Sequence, residues 1–181
     1  MPVHTRIVAV LISLAVWSVS GVASFAQAPD EKPHAGPPLL PLVDDYNPQN
    51  QFALILRGEQ NAHKVYEDAF VLAFMDRAPV EPGHVLVISK TSRARNLLEV
   101  DPKVLSRLMA VAQRVGKAQV AALGAQGFTI IQNNGAGQTV PHLHIHVIPR
   151  MTTRPLVLGI DKRADPEDLK ALADKLSKAM K

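Results

Sequence analysis

Residues 142–148 read His-Leu-His-Ile-His-Val-Ile, and this alternation constrains the fold more than any other stretch. Successive side chains of a β-strand point to opposite faces. The pattern therefore predicts a strand from Pro141 to Ile148, with Leu143, Ile145 and Val147 turned into a core and His142, His144 and His146 lining the other face. A chain built this way must contain a sheet with one packed face and one face carrying imidazoles. Half-buried strands ordinarily place Thr, Ser, Lys or Glu on the polar side. Three successive histidines instead point to metal binding or to acid–base and nucleophilic chemistry.

The rest of the chain supplies the partners of that strand. Phe52, Ile55 and Leu56 are spaced for a short helix over Phe52–Gly58, and short strands are expected at Lys64–Glu67, Phe70–Met75 and His84–Ser89. Two prolines and a glycine in Ala78–Gly83 force a turn between the last two. Asp101-Pro102 is a helix start, and the apolar stripe Val104, Leu105, Leu108, Val111, Ala112, Val115 and Ala122 predicts a long helix to Leu123. Gly127–Gln132 is a strand. Asp165-Pro166 opens a last helix with Leu169, Leu172, Ala173 and Leu176 on one side. The expected class is α+β, a mainly antiparallel sheet with one long helix and a C-terminal helix.

Composition narrows the chemistry. With 181 residues, 47% of them hydrophobic and 20% charged, the chain suits one globular domain with attachments. It has no cysteine, which excludes disulfides, thiolate catalysis and any Cys-based zinc site. The formal charge of +4 is scattered, so no nucleic-acid footprint is expected.

The first residues have the order of a secretory signal: Arg6, an apolar run over Ile7–Val19, then small residues ending Ser24-Phe25-Ala26. Cleavage after Ala26 makes residues 1–26 a signal peptide and places the domain in the periplasm or outside the cell. The alternative is an uncleaved anchor, the one arrangement that would tie the protein to a membrane. Six prolines between Pro29 and Pro48 mark residues 27–49 as an extended arm. Leu39, Leu40, Leu42 and Val43 could dock on the domain, at no position the sequence specifies.

Ahead of the histidine strand lies Asn133-Asn134-Gly135-Ala136-Gly137-Gln138-Thr139. Its glycines permit close backbone approach, and its amide and hydroxyl groups suit anion oxygens. Two chemistries remain open on the residues alone. Alternate histidines can ligate zinc, and a neutral imidazole can attack phosphorus to give a phosphohistidine-type intermediate that water resolves.

The run Gly137-Gln138-Thr139-Val140-Pro141-His142-Leu143-His144-Ile145-His146-Val147-Ile148-Pro149-Arg150 closely resembles the signature of the histidine triad (HIT) superfamily. Lys64–Asp68, Val71–Asp76, Ala78–Ile88 and Ala94–Leu97 resemble its preceding blocks, so the likeness runs in order through a domain at residues 50–150, followed by a C-terminal extension at 151–181. The resemblance implies a HIT-like fold. It also implies a nucleotide hydrolase or transferase acting at the α-phosphate of a nucleoside phosphoramidate or dinucleoside polyphosphate, without cofactor or metal. It implies His144 as nucleophile and His146 at the scissile phosphate and leaving group, with His142 and His84 orienting the nucleophile. Gln138, Thr139 and Asn133 would hold phosphate oxygens, Asp76 the ribose hydroxyls, and Leu56, Phe74 and Met75 the base. A homodimer through the long helix and a sheet edge is implied as well. The alternative is a nucleotide- or metal-binding module without turnover.

Three features depart from the family pattern. Phe52-Ala53-Leu54 and Lys90-Thr91-Ser92 stand where many members carry ligands of a structural zinc, so that site is expected to be absent. The loop at Asn134–Gly137 is a residue or two short. A secretory signal is uncommon in a family usually found inside cells. With a nucleophilic histidine at its ordinary pKa, activity is expected to fall below about pH 6.5.

Overall fold

A computed structural model describes residues 40–153, 155–156 and 163–181. The expected signal peptide and the arm up to residue 39 lie outside the described residues. The elements in order are α1 (Gln51–Leu56), β1 (Lys64–Glu67), β2 (Val71–Met75), β3 (Val85–Ser89), α2 (Pro102–Leu123), β4 (Gly127–Ile131), β5 (His144–Arg150) and α3 (Pro166–Ala179). The strands form one sheet in the order β1-β2-β3-β5-β4, every pair antiparallel. The α+β class follows from the sequence pattern.

Local chemistry sets the boundaries. The Asn50 side chain accepts the Phe52 and Ala53 N–H groups and starts α1. Asp101 caps α2, Pro102 fills its first position, and Gly124 ends it in the left-handed region at φ 70°. The Asp68 carboxylate takes the Phe70 and Val71 N–H groups, so β2 begins at Val71 and not at Phe70.

The sheet separates two apolar layers. Val71, Ala73, Met75, Val85, Val87, Leu143, Ile145 and Val147 pack with Leu108, Val111, Ala112 and Val115 of α2 and Leu169, Ala173 and Leu176 of α3. Leu72, Phe74, Leu86 and Ile88 pack on the opposite side with Phe52 and Ile55 of α1. Strands β2 and β3 are buried on both faces, which is why their sequences read as continuous apolar runs. Met75 lies in the layer under α2 and α3. It therefore cannot line a base pocket on the histidine face, while Phe74 and Leu56 lie on that face.

The histidine strand starts later than its alternation suggests. β5 runs from His144 to Arg150, and His142 precedes it. The β3 pairing ends at Ile88 opposite His144, and Pro141 has no N–H to donate. The His142 N–H turns to the Val140 carbonyl and the Leu143 N–H to the Ala94 carbonyl. At its far end the strand extends past Ile148 because β4 pairs Gly127 with Arg150.

Candidate active site

The two central strands bring the histidines together. Leu86 pairs with His146 and Ile88 with His144, so the even-numbered residues of β3 and β5 share a face. His84, one residue before β3, follows the same parity. Its Nε2 lies 3.0 Å from His146 Nδ1, and the His144 and His146 ring centroids are 4.9 Å apart. Phe52 of α1 sets its ring edge-on to His144, with centroids 5.0 Å apart, and walls that side.

Hydrogen-bond partners assign the protons. The His144 Nδ1 is 2.7 Å from the His142 carbonyl. A carbonyl only accepts, so Nδ1 carries the proton and Nε2 carries the lone pair. The Val80 N–H donates to His84 Nδ1, which puts the His84 proton on Nε2, directed at His146 Nδ1. His146 therefore accepts at Nδ1 and keeps its own proton on Nε2, a buried atom with no partner among the described residues. The site presents a nucleophilic nitrogen on one ring and an N–H donor on the next.

Burial keeps these rings neutral. It pushes His84 down to about 3, assisted by the charges of protonated His146 and His144, and His142 and His146 to about 4. His144 moves the same way for the same reason. The loss of a lone pair by protonation is thus shifted well below the ordinary histidine value of about 6.5, which corrects the pH expectation drawn from sequence.

Asp76 sits beside this cluster. Its Oδ1 accepts the Ala78 N–H at 2.9 Å, and its Oδ2 lies 3.4 Å from His84 Nδ1 and 4.0 Å from His146 Nδ1. Burial raises its pKa against two backbone hydrogen bonds. Asp76, His84 and His146 are also the group of described residues whose ligand atoms converge closely enough, within 4.8 Å, to hold a metal ion. A metal there would have to displace the His84–His146 hydrogen bond.

The loop before the strand folds back on itself. Gly135 and Gly137 adopt φ of 65° and 79°, and the Gln138 N–H returns to the Gly135 carbonyl. The Gln138 side chain is buried. Its amide donates to the Arg95 and Val140 carbonyls while its oxygen accepts the Gly135 N–H. Both amide protons are engaged, so a phosphate contact from this side chain requires exchange of one of them. Thr139 is exposed and Asn133 half-buried at the loop's flanks.

Three residues outside the sequence-derived set belong to the site. Gln119 of α2 is fully buried, and its amide donates to the carbonyls of Gly83 and Val147, both at 2.9 Å. These residues adjoin His84 and His146, so one side chain ties both histidines to the helix. Tyr46 places its hydroxyl 2.8 Å from His142 Nδ1. Arg95 anchors the segment that carries Tyr46.

The HIT domain family matches residues 57–153. The chain belongs to the HIT family. An adenosine 5'-monophosphoramidase of Schizosaccharomyces pombe is 33% identical to this HIT protein over 135 residues, 72% of this chain and 97% of the yeast protein. An adenylylsulfatase of Arabidopsis thaliana is 39% identical over 101 residues, 55% of this chain; the match spans about half, 51%, of the plant protein. Among solved structures, a HIT-like protein of Bartonella henselae described as involved in cell-cycle regulation superposes with a TM-score of 0.71 at 40% identity, covering 75% of this chain and 99% of that one. A zinc-bound histidine triad protein of Mycobacterium smegmatis gives 0.64 at 36% identity, covering 71% and 91%.

Proposed function

We propose that this HIT protein hydrolyses, or transfers from, a nucleoside phosphoramidate or dinucleoside polyphosphate at the α-phosphate, through a nucleotidyl group carried on His144. The observation that carries the reading is the proton assignment: a His144 Nε2 lone pair beside a His146 Nε2–H without a partner among the described residues. In the first step His144 Nε2 attacks the α-phosphorus and the bond to the leaving nitrogen or oxygen breaks, while the His146 Nε2–H donates a hydrogen bond that stabilises the charge developing on that atom. In the second, water attacks the same phosphorus and its proton passes to the departed leaving group. The P–N bond to His144 breaks and nucleoside monophosphate leaves. Thr139, Asn133 and the loop's backbone N–H groups would hold the phosphate oxygens, with Asp76 at the ribose and Leu56 and Phe74 near the base. The test is His144→Ala assayed on adenosine phosphoramidate and diadenosine polyphosphate. Turnover should fall at least about a thousandfold.

The same reading includes a homodimer and export. Strand β4 lies at the sheet edge and exposes Phe128 and Ile130, with Val120 of α2 also exposed. A second copy would cover this apolar edge. The order of residues 1–26 supports delivery to the periplasm or the exterior, which fractionation of cells expressing the full chain would test.

A second reading has one observation behind it, the convergence of Asp76, His84 and His146. A binding module without turnover would take up stoichiometric zinc at these residues and show no hydrolysis.

A further inference from the structure

The stretch ahead of α1 is held at three carbonyls. The Arg95 guanidinium donates to the carbonyls of Pro41 at 2.9 Å and Asp44 at 3.0 Å, and the Asn96 amide to that of Leu42. Arg95 is 3% exposed, and a guanidinium so buried has to be paired. The Leu42 side chain lies over Gly135, where a Cβ would come within 2.7 Å of Leu42 Cδ1. The Arg95 carbonyl also receives the Gln138 amide, and the neighbouring Ala94 carbonyl receives the Leu143 N–H. Arm, loop and histidine strand thus share one anchor at Ala94-Arg95.

The arm ends at the site. The Tyr46 hydroxyl meets His142 Nδ1 at 2.8 Å, with the rings edge-to-face at 5.8 Å. We propose that Tyr46 is a positioning residue for the nucleophile: its hydroxyl donates to His142 Nδ1, fixes that ring in the Nε2–H tautomer, and so holds the His142 carbonyl that orients His144. The Ser89 backbone contacts His142 in a way that favours a proton on the ring, which makes the Ser89 carbonyl an acceptor and leaves Nδ1 as the ring's own acceptor. Both nitrogens of a ring 1% exposed are then satisfied. Remove the hydroxyl and His142 Nδ1 loses its donor in a ring that is closed off from solvent. The ring can then exchange tautomers or rotate, and the residue whose carbonyl accepts from His144 Nδ1 loses its side-chain anchor beside the backbone bonds that hold it.

The kinetic part rests on the hydrolase reading, and the imidazole part does not. Tyr46→Phe removes one oxygen and keeps the ring packed against His142. In ¹⁵N-resolved imidazole spectra of the folded wild type, His142 should show a single tautomer with a hydrogen-bonded Nδ1. Tyr46→Phe should shift that Nδ1 signal to an unbonded position and move His144 with it. kcat should fall roughly ten- to hundredfold with KM within about twofold. Arg95→Lys, which cannot bridge two carbonyls in the same way, should reproduce the shift, and the double variant should be no worse than Tyr46→Phe alone. An unchanged His142 signal in Tyr46→Phe overturns the positioning role whatever the activity. So does a lowered melting temperature with kcat intact. A folded wild type that shows the predicted spectra but no turnover overturns the hydrolase reading and leaves the hydrogen bond established.

Discussion

Four neutral imidazoles within one small volume set the chemistry by where their protons sit. In the proposed reaction the His146 Nε2–H faces the leaving group, so His146→Asn should lower kcat on a phosphoramidate about a hundred- to thousandfold. Substrates with an acidic leaving group should be hit less, because the charge on the departing atom needs less stabilising. The same burial that keeps the rings neutral makes folding depend on pH. His84, His142 and His146 bind protons near pH 6.5 when unfolded but only near 3 to 4 in the fold. The unfolded state therefore holds more protons across that window, and stability falls as pH drops from about 6.5 towards 4. At the steepest, each histidine contributes about 1 kcal/mol per pH unit. Asp76, raised by burial, acts in the opposite sense and blunts the loss at the acid end. Thermal melts should be flat between pH 7 and 8 and lower at pH 4.5. The acid limb of kcat/KM should fall well below pH 6.5; a limb at 6.5 would contradict the buried, proton-poor site.

At the level of elements, α2 acts as the template on which both histidine-bearing strands are registered. Gln119→Leu leaves the Gly83 and Val147 carbonyls without their shared donor and should cost about 1–3 kcal/mol in urea titrations. Gly83 has φ 98°, and a Cβ there would stand 2.5 Å from Leu123 Cδ1. Gly83→Ala should therefore cost a similar amount and displace His84. Much of this framework was legible in the chain. The period-two run showed the histidine face, and Asp101-Pro102 and Asp165-Pro166 marked the helix starts. Gln119 carried a signal too, being an amide four residues after Val115 on an otherwise apolar stripe. Other features had none. His142 leaves the strand because its partner strand stops at the neighbouring position, which alternation along one chain cannot reveal. Tyr46 meets His142 across 96 positions of sequence, brought there by a buried arginine that local pattern marks only as charged.

Over the whole molecule, C-terminal α3 shares the core of the domain through Leu169, Ala173 and Leu176, so removing residues 166–181 should unfold the chain and not merely trim it. The apolar edge on β4 and α2 gives a separate expectation: Phe128→Glu should convert a dimer to monomer in sedimentation velocity with the fold retained. A wild type already monomeric at tens of micromolar would remove the homodimer from the proposal. Among the described residues no helix is long and apolar enough to cross a membrane. The central claim is that one histidine carries the nucleotidyl group. It is tested most directly by acid-free rapid quench of the full chain with adenosine phosphoramidate, followed by intact-mass and peptide mapping. The prediction is a transient adduct of one adenylyl group per chain, on His144 and absent from His144→Ala. Turnover without any adduct, or an adduct on another residue, would contradict it.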